Sequence, residues 1–164
     1  MRKILSATLA ACVMTAGVAQ AGTTTTTFAV TATVNSTCST TATALAFPAY
    51  TPGGGAVIQS STVSVKCTKN TPYTVLLNGG VGGTVAQRLM SAGANTLQYQ
   101  LYTTAALASV WGDGTGSSVT QAGTGSGVAT ANTLTVFGQV PDNAFNQAVV
   151  PAAYTDTITV TVNY

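Results

Sequence analysis

Histidine and glutamate are absent from the 164-residue sequence, and its only acidic residues are Asp113, Asp142 and Asp156. Without histidine, neither a Ser-His-Asp nor a Cys-His nucleophile can be assembled. Glycoside cleavage would need two of those aspartates paired across a sugar. Asp113 and Asp142 lie in Gly- or Pro-rich turns, and Asp156 stands at the start of the last apolar run, positions where capping and turn formation are the usual roles. The glycine clusters lack the lysine and the following helix of a phosphate loop. The chain therefore reads as a non-enzyme with no cofactor. Two isolated cysteines without histidine cannot make a zinc site, so no metal is expected either.

Charge is nearly as scarce, at 5% of residues. Arg2 and Lys3 precede an apolar run from Ile4 to Ala19 that ends in Ala19-Gln20-Ala21, the signature of a signal peptide over residues 1–21. A lipoprotein leader ending at Cys12, after Leu9-Ala10-Ala11, is the competing reading. The run is too short for a transmembrane anchor, and no later stretch reaches the roughly 20 apolar residues that one requires. Cleavage before Gly22 leaves about 143 residues, enough for one domain with a sizeable core. Lys66, Lys69 and Arg88 then balance the three aspartates, and the formal charge drops from +2 to zero. A neutral surface has no electrostatic footprint for nucleic acid or anionic membrane.

Of the three cysteines, Cys12 leaves with the leader. Cys38 and Cys67 remain as an even pair in an exported chain, which reads as a disulfide closing a loop of about 30 residues, worth roughly 3.5 kcal/mol in the chain-entropy model.

What is abundant is Thr, Val, Ala and Gly in period-two patterns. Phe28, Val30, Ala32 and Val34 alternate with Ala29, Thr31 and Thr33; Val63, Val65 and Cys67 with Ser64 and Lys66. The pattern recurs at Tyr73, Val75 and Leu77, at Leu97, Tyr99 and Leu101, at Leu134 and Val136, and at Ile158, Val160, Val162 and Tyr164. Turn chemistry at Pro52–Gly55, Asn78–Gly80, Gly112–Gly114, Gly123–Gly127 and Pro141–Asn143 separates the runs. Short alternating strands with frequent turns and no helical stripe predict an all-β, two-sheet sandwich in a single domain. Trp111 with Tyr99, Tyr102 and Asp113 offers an aromatic platform for sugar, set against the plainer reading of a core tryptophan.

The chain ends differ. Tyr154–Tyr164 is strand-like up to the last residue, while Phe28–Val34 is a patterned apolar segment behind the tract Thr23–Thr27. A sandwich with no strand after this last run would expose a groove beside Ile158, Val160, Val162 and Tyr164, and an unpaired edge there invites strand addition. Residues 28–34 either fill such a groove in another subunit or fold back as an edge strand of their own domain.

Five blocks, in order, carry a resemblance: Phe28–Val34 before Cys38; Val63–Thr68 before Thr71-Pro72-Tyr73; Leu97–Tyr102 before Val110–Asp113; Val136-Phe137-Gly138; and Tyr154–Val160. Together with the leader and the cysteine pair, the sequence resembles the spore coat protein U family, which includes subunits of archaic chaperone-usher pili. The resemblance implies an incomplete immunoglobulin-like β-sandwich, held by a periplasmic chaperone and polymerised with other pilus subunits at an outer-membrane usher by donor-strand exchange, for adhesion or biofilm at the cell surface. It divides the mature chain into a donor segment, 22–37, and a sandwich domain, 38–164. Phe28, Val30, Ala32 and Val34 become the inserting side chains, Cys38–Cys67 the family disulfide, and Ile158–Tyr164 the groove edge. Ala32 departs from the bulky residue expected of a groove filler. The other functions the sequence allows are an exported carbohydrate-binding module and a coat protein of dormant cells.

Overall fold

In the computed structural model, residues 17 and 20–164 are described, and the leader read over residues 1–21 lies outside them apart from 17, 20 and 21. Two compact units divide the chain, Met1–Thr33 and Val34–Tyr164. In the first, residues 22–33 form no strand or helix and are exposed, Phe28 and Val30 by 86% and 82%.

The second unit is built of β1 (Cys38–Ala42), β2 (Val57–Cys67), β3 (Pro72–Leu77), β4 (Arg88–Ala92), β5 (Asn95–Tyr102), β6 (Gln121–Thr124), β7 (Asn132–Val140), a single helical turn α1 (Ala144–Gln147) and β8 (Val160–Asn163). One sheet runs β1-β2-β7-β5-β4 and the other β6-β3-β8, every strand pair antiparallel. Alternation decides which face turns inward. Val63 and Val65 of β2, Tyr73, Val75 and Leu77 of β3, Leu97, Tyr99 and Leu101 of β5, and Val136 and Val140 of β7 meet in one core between the sheets. At about 25 cal/mol per Å² of apolar surface removed from water, each such side chain contributes roughly 1.5–3 kcal/mol. β1 is held at its first residue, where Cys38 stands opposite Cys67 in the ladder and is disulfide-bonded to it.

Trp111 is fully buried, and its indole N–H donates to the Val75 carbonyl at 3.1 Å. The sugar platform is thereby corrected: with Trp111 at 0% and Tyr99 at 6% exposure, two of its three rings are core.

Local expectations fail where packing, not turn chemistry, places a glycine. Gly123, read as part of a turn, lies in β6 opposite Tyr73, and a Cβ there would come within 2.4 Å of the tyrosine ring. β4 carries no period-two signal. It is set by Arg88, buried between the sheets, and by pairing with β5. Nor does the helical turn have an apolar stripe. Its Asn146 is wholly buried and acts as a one-residue strand: Oδ1 accepts the Gln98 N–H at 2.9 Å, and Nδ2 donates to the Gln98 and Pro141 carbonyls at 3.0 and 2.7 Å. These bonds satisfy backbone that β7, paired with β5 only over Gln100–Tyr102, leaves free.

Candidate functional site

β1 ends one sheet and β8 ends the other, and each has a single strand partner. Between these two edges the core is open. The opening is a groove of about 530 Å³ with residues 42–45 and Phe47 as one wall and residues 154–158 and Val160 as the other. Val63, Leu77, Tyr99, Leu101 and Val136, buried members of the core, form its floor. It runs on into a second hollow of about 530 Å³ that shares Leu45, Phe47, Met90 and Tyr154 with it and reaches Leu97, Val140 and Val149.

The first wall continues β1 beyond its ladder, while the second is bridged on one side to β4, where Ser91 and Thr155 exchange N–H···O bonds at 2.8 and 3.0 Å. After Ala42 the first wall leaves β2, to which it is last tied by the Thr43 N–H on the Thr62 carbonyl at 2.9 Å. Leu45 and Phe47 turn inward and lie over Gly138 of β7, where a Cβ would come within 2.8 Å of both side chains. Phe47 also meets Tyr99 edge-on, ring centres 6.4 Å apart. The far end of this wall is latched by Asp142, whose carboxylate accepts the Tyr50 hydroxyl at 2.6 Å and the Gly53 and Gly55 N–H groups at 3.0 and 2.8 Å. Gly53 and Gly55 have φ of 80° and 99°, a left-handed backbone that aims both N–H groups at one carboxylate.

On the second wall Tyr154, Asp156, Ile158, Val160 and Val162 are half-buried and the threonines between them exposed. The groove-edge residues read from sequence separate here. Ile158 and Val160 line the groove and Val162 does not, although all three pack against the core and Val160 and Val162 are paired opposite Leu77 and Val75. Tyr164 lies beyond β8 and is 61% exposed, so it stands apart from the groove. Asp156 is the one charged side chain of the lining. Its Oδ2 accepts the Tyr99 hydroxyl at 2.6 Å, and its Oδ1 accepts the Val81 and Thr157 N–H groups at 2.8 and 2.7 Å. Gly80 is required beside it, since a Cβ there would sit 1.9 Å from Oδ2. Burial and then the bond to Asp156 push the Tyr99 hydroxyl well above its ordinary pKa, so it remains a donor.

Leu45, Phe47, Met90, Tyr154 and Asp156 were not singled out from sequence as groove residues. The short alternation Leu45-Ala46-Phe47 was the available signal for the first wall.

All three aspartates are engaged by N–H or O–H donors. Asp113 takes the Thr115 hydroxyl and N–H at 2.6 and 2.9 Å, which hold its carboxyl below the usual range. The Tyr50 hydroxyl, followed by the Gly53 and Gly55 N–H groups, lowers Asp142 to about 2; lost hydration and the same bond raise Tyr50 to about 12. A carboxyl depressed on folding stabilises the fold above its unfolded value near 4, and that contribution disappears as pH falls from about 4 through about 2. Tyr50 acts oppositely, its contribution being lost as pH rises from about 10 to about 12. The urea midpoint of wild type is therefore expected to exceed that of Asp142→Asn at pH 6, with the gap closing by pH 2. A gap that stays constant over this range would refute the latch.

The fold and the groove define a class: an antiparallel β-sandwich with two unpaired edges flanking an opening into its core. A model of the Spore Coat Protein U domain matches residues 24–161, and the chain belongs to that family. Among solved structures, it is similar to a chain in the crystal structure of the CsuC–CsuE chaperone–tip adhesion subunit pre-assembly complex from archaic chaperone-usher Csu pili of Acinetobacter baumannii. The identity is 24% and the TM-score 0.53, over 80% of this chain and 40% of that one. This chain thus spans less than half the length of the matched one. No curated protein matches significantly.

Proposed function

We propose that the protein is a structural, non-enzymatic subunit of a surface fibre built by a chaperone-usher pathway through donor-strand exchange, serving adhesion or biofilm. The observation that carries this reading is the open groove between two unpaired strand edges, floored by core side chains. A groove of that kind exposes apolar surface and unpaired backbone together, and one added strand covers both. The donor is the segment 22–37 of another copy or of a related subunit, with Phe28, Val30, Ala32 and Val34 inserting. The sandwich over residues 38–164 is the acceptor. Before assembly a periplasmic chaperone lends the strand, and an outer-membrane usher exchanges it as the fibre leaves the cell. Exposure of residues 22–37 and the apolar face of 28–34 support the donor role.

Electrophoresis of surface-sheared material, unreduced, tests the proposal. Before boiling a ladder of oligomers is expected, and after boiling a single monomer band, because strand-linked subunits are joined without covalent bonds. Monomer in both lanes would refute strand linkage.

A further inference from the structure

The groove contains one charge, and the donor face contains one small residue. We propose that these two meet: Ala32 of one copy lies over Asp156 of the next, and this contact sets the register of the added strand. The inference rests on the donor-strand reading above and adds to it which residues face each other.

Two independent observations lead to the same register. The first is chemical. Asp156 holds its carboxylate at the groove surface on the Tyr99 hydroxyl and two backbone N–H groups. A large apolar side chain over it would strip the remaining water from the charge without supplying a donor, whereas an alanine leaves the carboxylate its space. On the donor face Phe28, Val30 and Val34 are bulky and Ala32 alone is small. The second is length. With Ala32 opposite Asp156 in an antiparallel pairing, as in every strand pair of this fold, Val34 falls opposite Tyr154, Val30 opposite Ile158 and Phe28 opposite Val160. Those four wall residues are the inward-facing ones that line the groove, and Val162, the next along, is not part of its lining. Four donor side chains thus meet four groove positions, and Thr26 falls outside. A parallel pairing of the same length would put Val30 over the carboxylate, so the match also selects the strand direction.

The register is readable by cross-linking, because the outward-facing threonines of the two strands are brought opposite each other as well. Thr31 falls opposite Thr157, an arrangement like that of Cys38 and Cys67, which are opposed and bonded in the β1–β2 ladder. The full chain carrying Thr31→Cys and Thr157→Cys, assembled in cells under oxidising conditions, is expected to give a ladder that survives boiling and collapses only with reductant. The same chain with Thr31→Cys paired to Thr155→Cys or to Thr159→Cys is expected to fall to monomer on boiling alone. A boiling-resistant ladder in either shifted pair, or in none of the three while fibres form, overturns the register but leaves strand exchange standing. If the unsubstituted chain forms no heat-labile polymer, both the exchange reading and the register fail. As a second measure, Ala32→Leu is expected to reduce polymer yield at least tenfold while Ala32→Gly retains it; equal yields from the two would overturn the contact with Asp156.

Discussion

Val30→Asp is expected to abolish fibres while leaving the subunit folded on its chaperone. The side chain is 82% exposed within its own chain, so a carboxylate there removes no core contact. Under the donor-strand exchange proposed above, the same position would enter an apolar groove, where a carboxylate loses its hydration and gains no partner, at a cost of several kcal/mol. Each 1.4 kcal/mol is a factor of ten in an equilibrium, so a penalty of about 3 kcal/mol lowers strand uptake roughly a hundredfold. The acceptor groove is unchanged. When the chaperone's own strand occupies it, the substitution is silent. Co-expression of the variant with its chaperone, followed by measurement of the soluble complex and of fibres, separates two cases. Fibres lost with complex retained is the expected result. Loss of both would mean that Val30 belongs to the core of its own domain, and fibres at wild-type level would remove Val30 from the donor face.

Arg88→Ala is expected to cost about 3–5 kcal/mol of folding stability, the largest effect of any single charge in the chain. Arg88 is wholly buried, and its hydrogen bonds all run to amide oxygens. Nε and Nη2 donate to the Asn78 carbonyl at 3.0 and 2.8 Å, Nη2 to the Trp111 carbonyl at 2.8 Å, and Nη1 to the Gln100 side chain. The guanidinium thus ties β4 of the larger sheet to the end of β3 in the smaller one. Desolvation lowers its pKa, with Tyr99, Asp156 and Asp113 offsetting part of that. Alanine leaves a cavity and several buried carbonyls without donors. Lysine is expected to recover only part of the loss, because an ammonium has no planar fork to serve acceptors on two sides. Urea unfolding followed through Trp111, the only tryptophan and fully buried, measures both variants. A loss under 1 kcal/mol for Arg88→Ala would contradict the tie between sheets.

The family assignment and the structure agree with what period-two alternation and scarce charge implied, an all-β sandwich. β2, β3, β5 and β7 were legible because alternation is a local property of a strand with one wet face and one dry face. Cys38 and Cys67 were legible too, as the only cysteines outside the leader read over residues 1–21. β4 was not, since what fixes it is a buried arginine whose acceptors come from β3, β5 and the Trp111 segment. Gly123 looked like a turn because glycine signals both free φ and missing bulk, and only the ring of Tyr73 tells which applies. Asn146 carries no sequence signal, because its strand-like role depends on backbone that β7 leaves unpaired.

The apolar pattern of residues 28–34 and the strand-like C-terminal run were written in the sequence as two amphipathic segments, since side-chain alternation needs no knowledge of neighbours. That the second ends a sheet, that Leu45, Phe47, Tyr154 and Asp156 face each other across an opening, and that one charge sits in an apolar wall were decided by tertiary structure alone. A groove is a relation between strands far apart in the chain, here residues 42–47 and 154–160, and only the packing of two sheets brings them face to face.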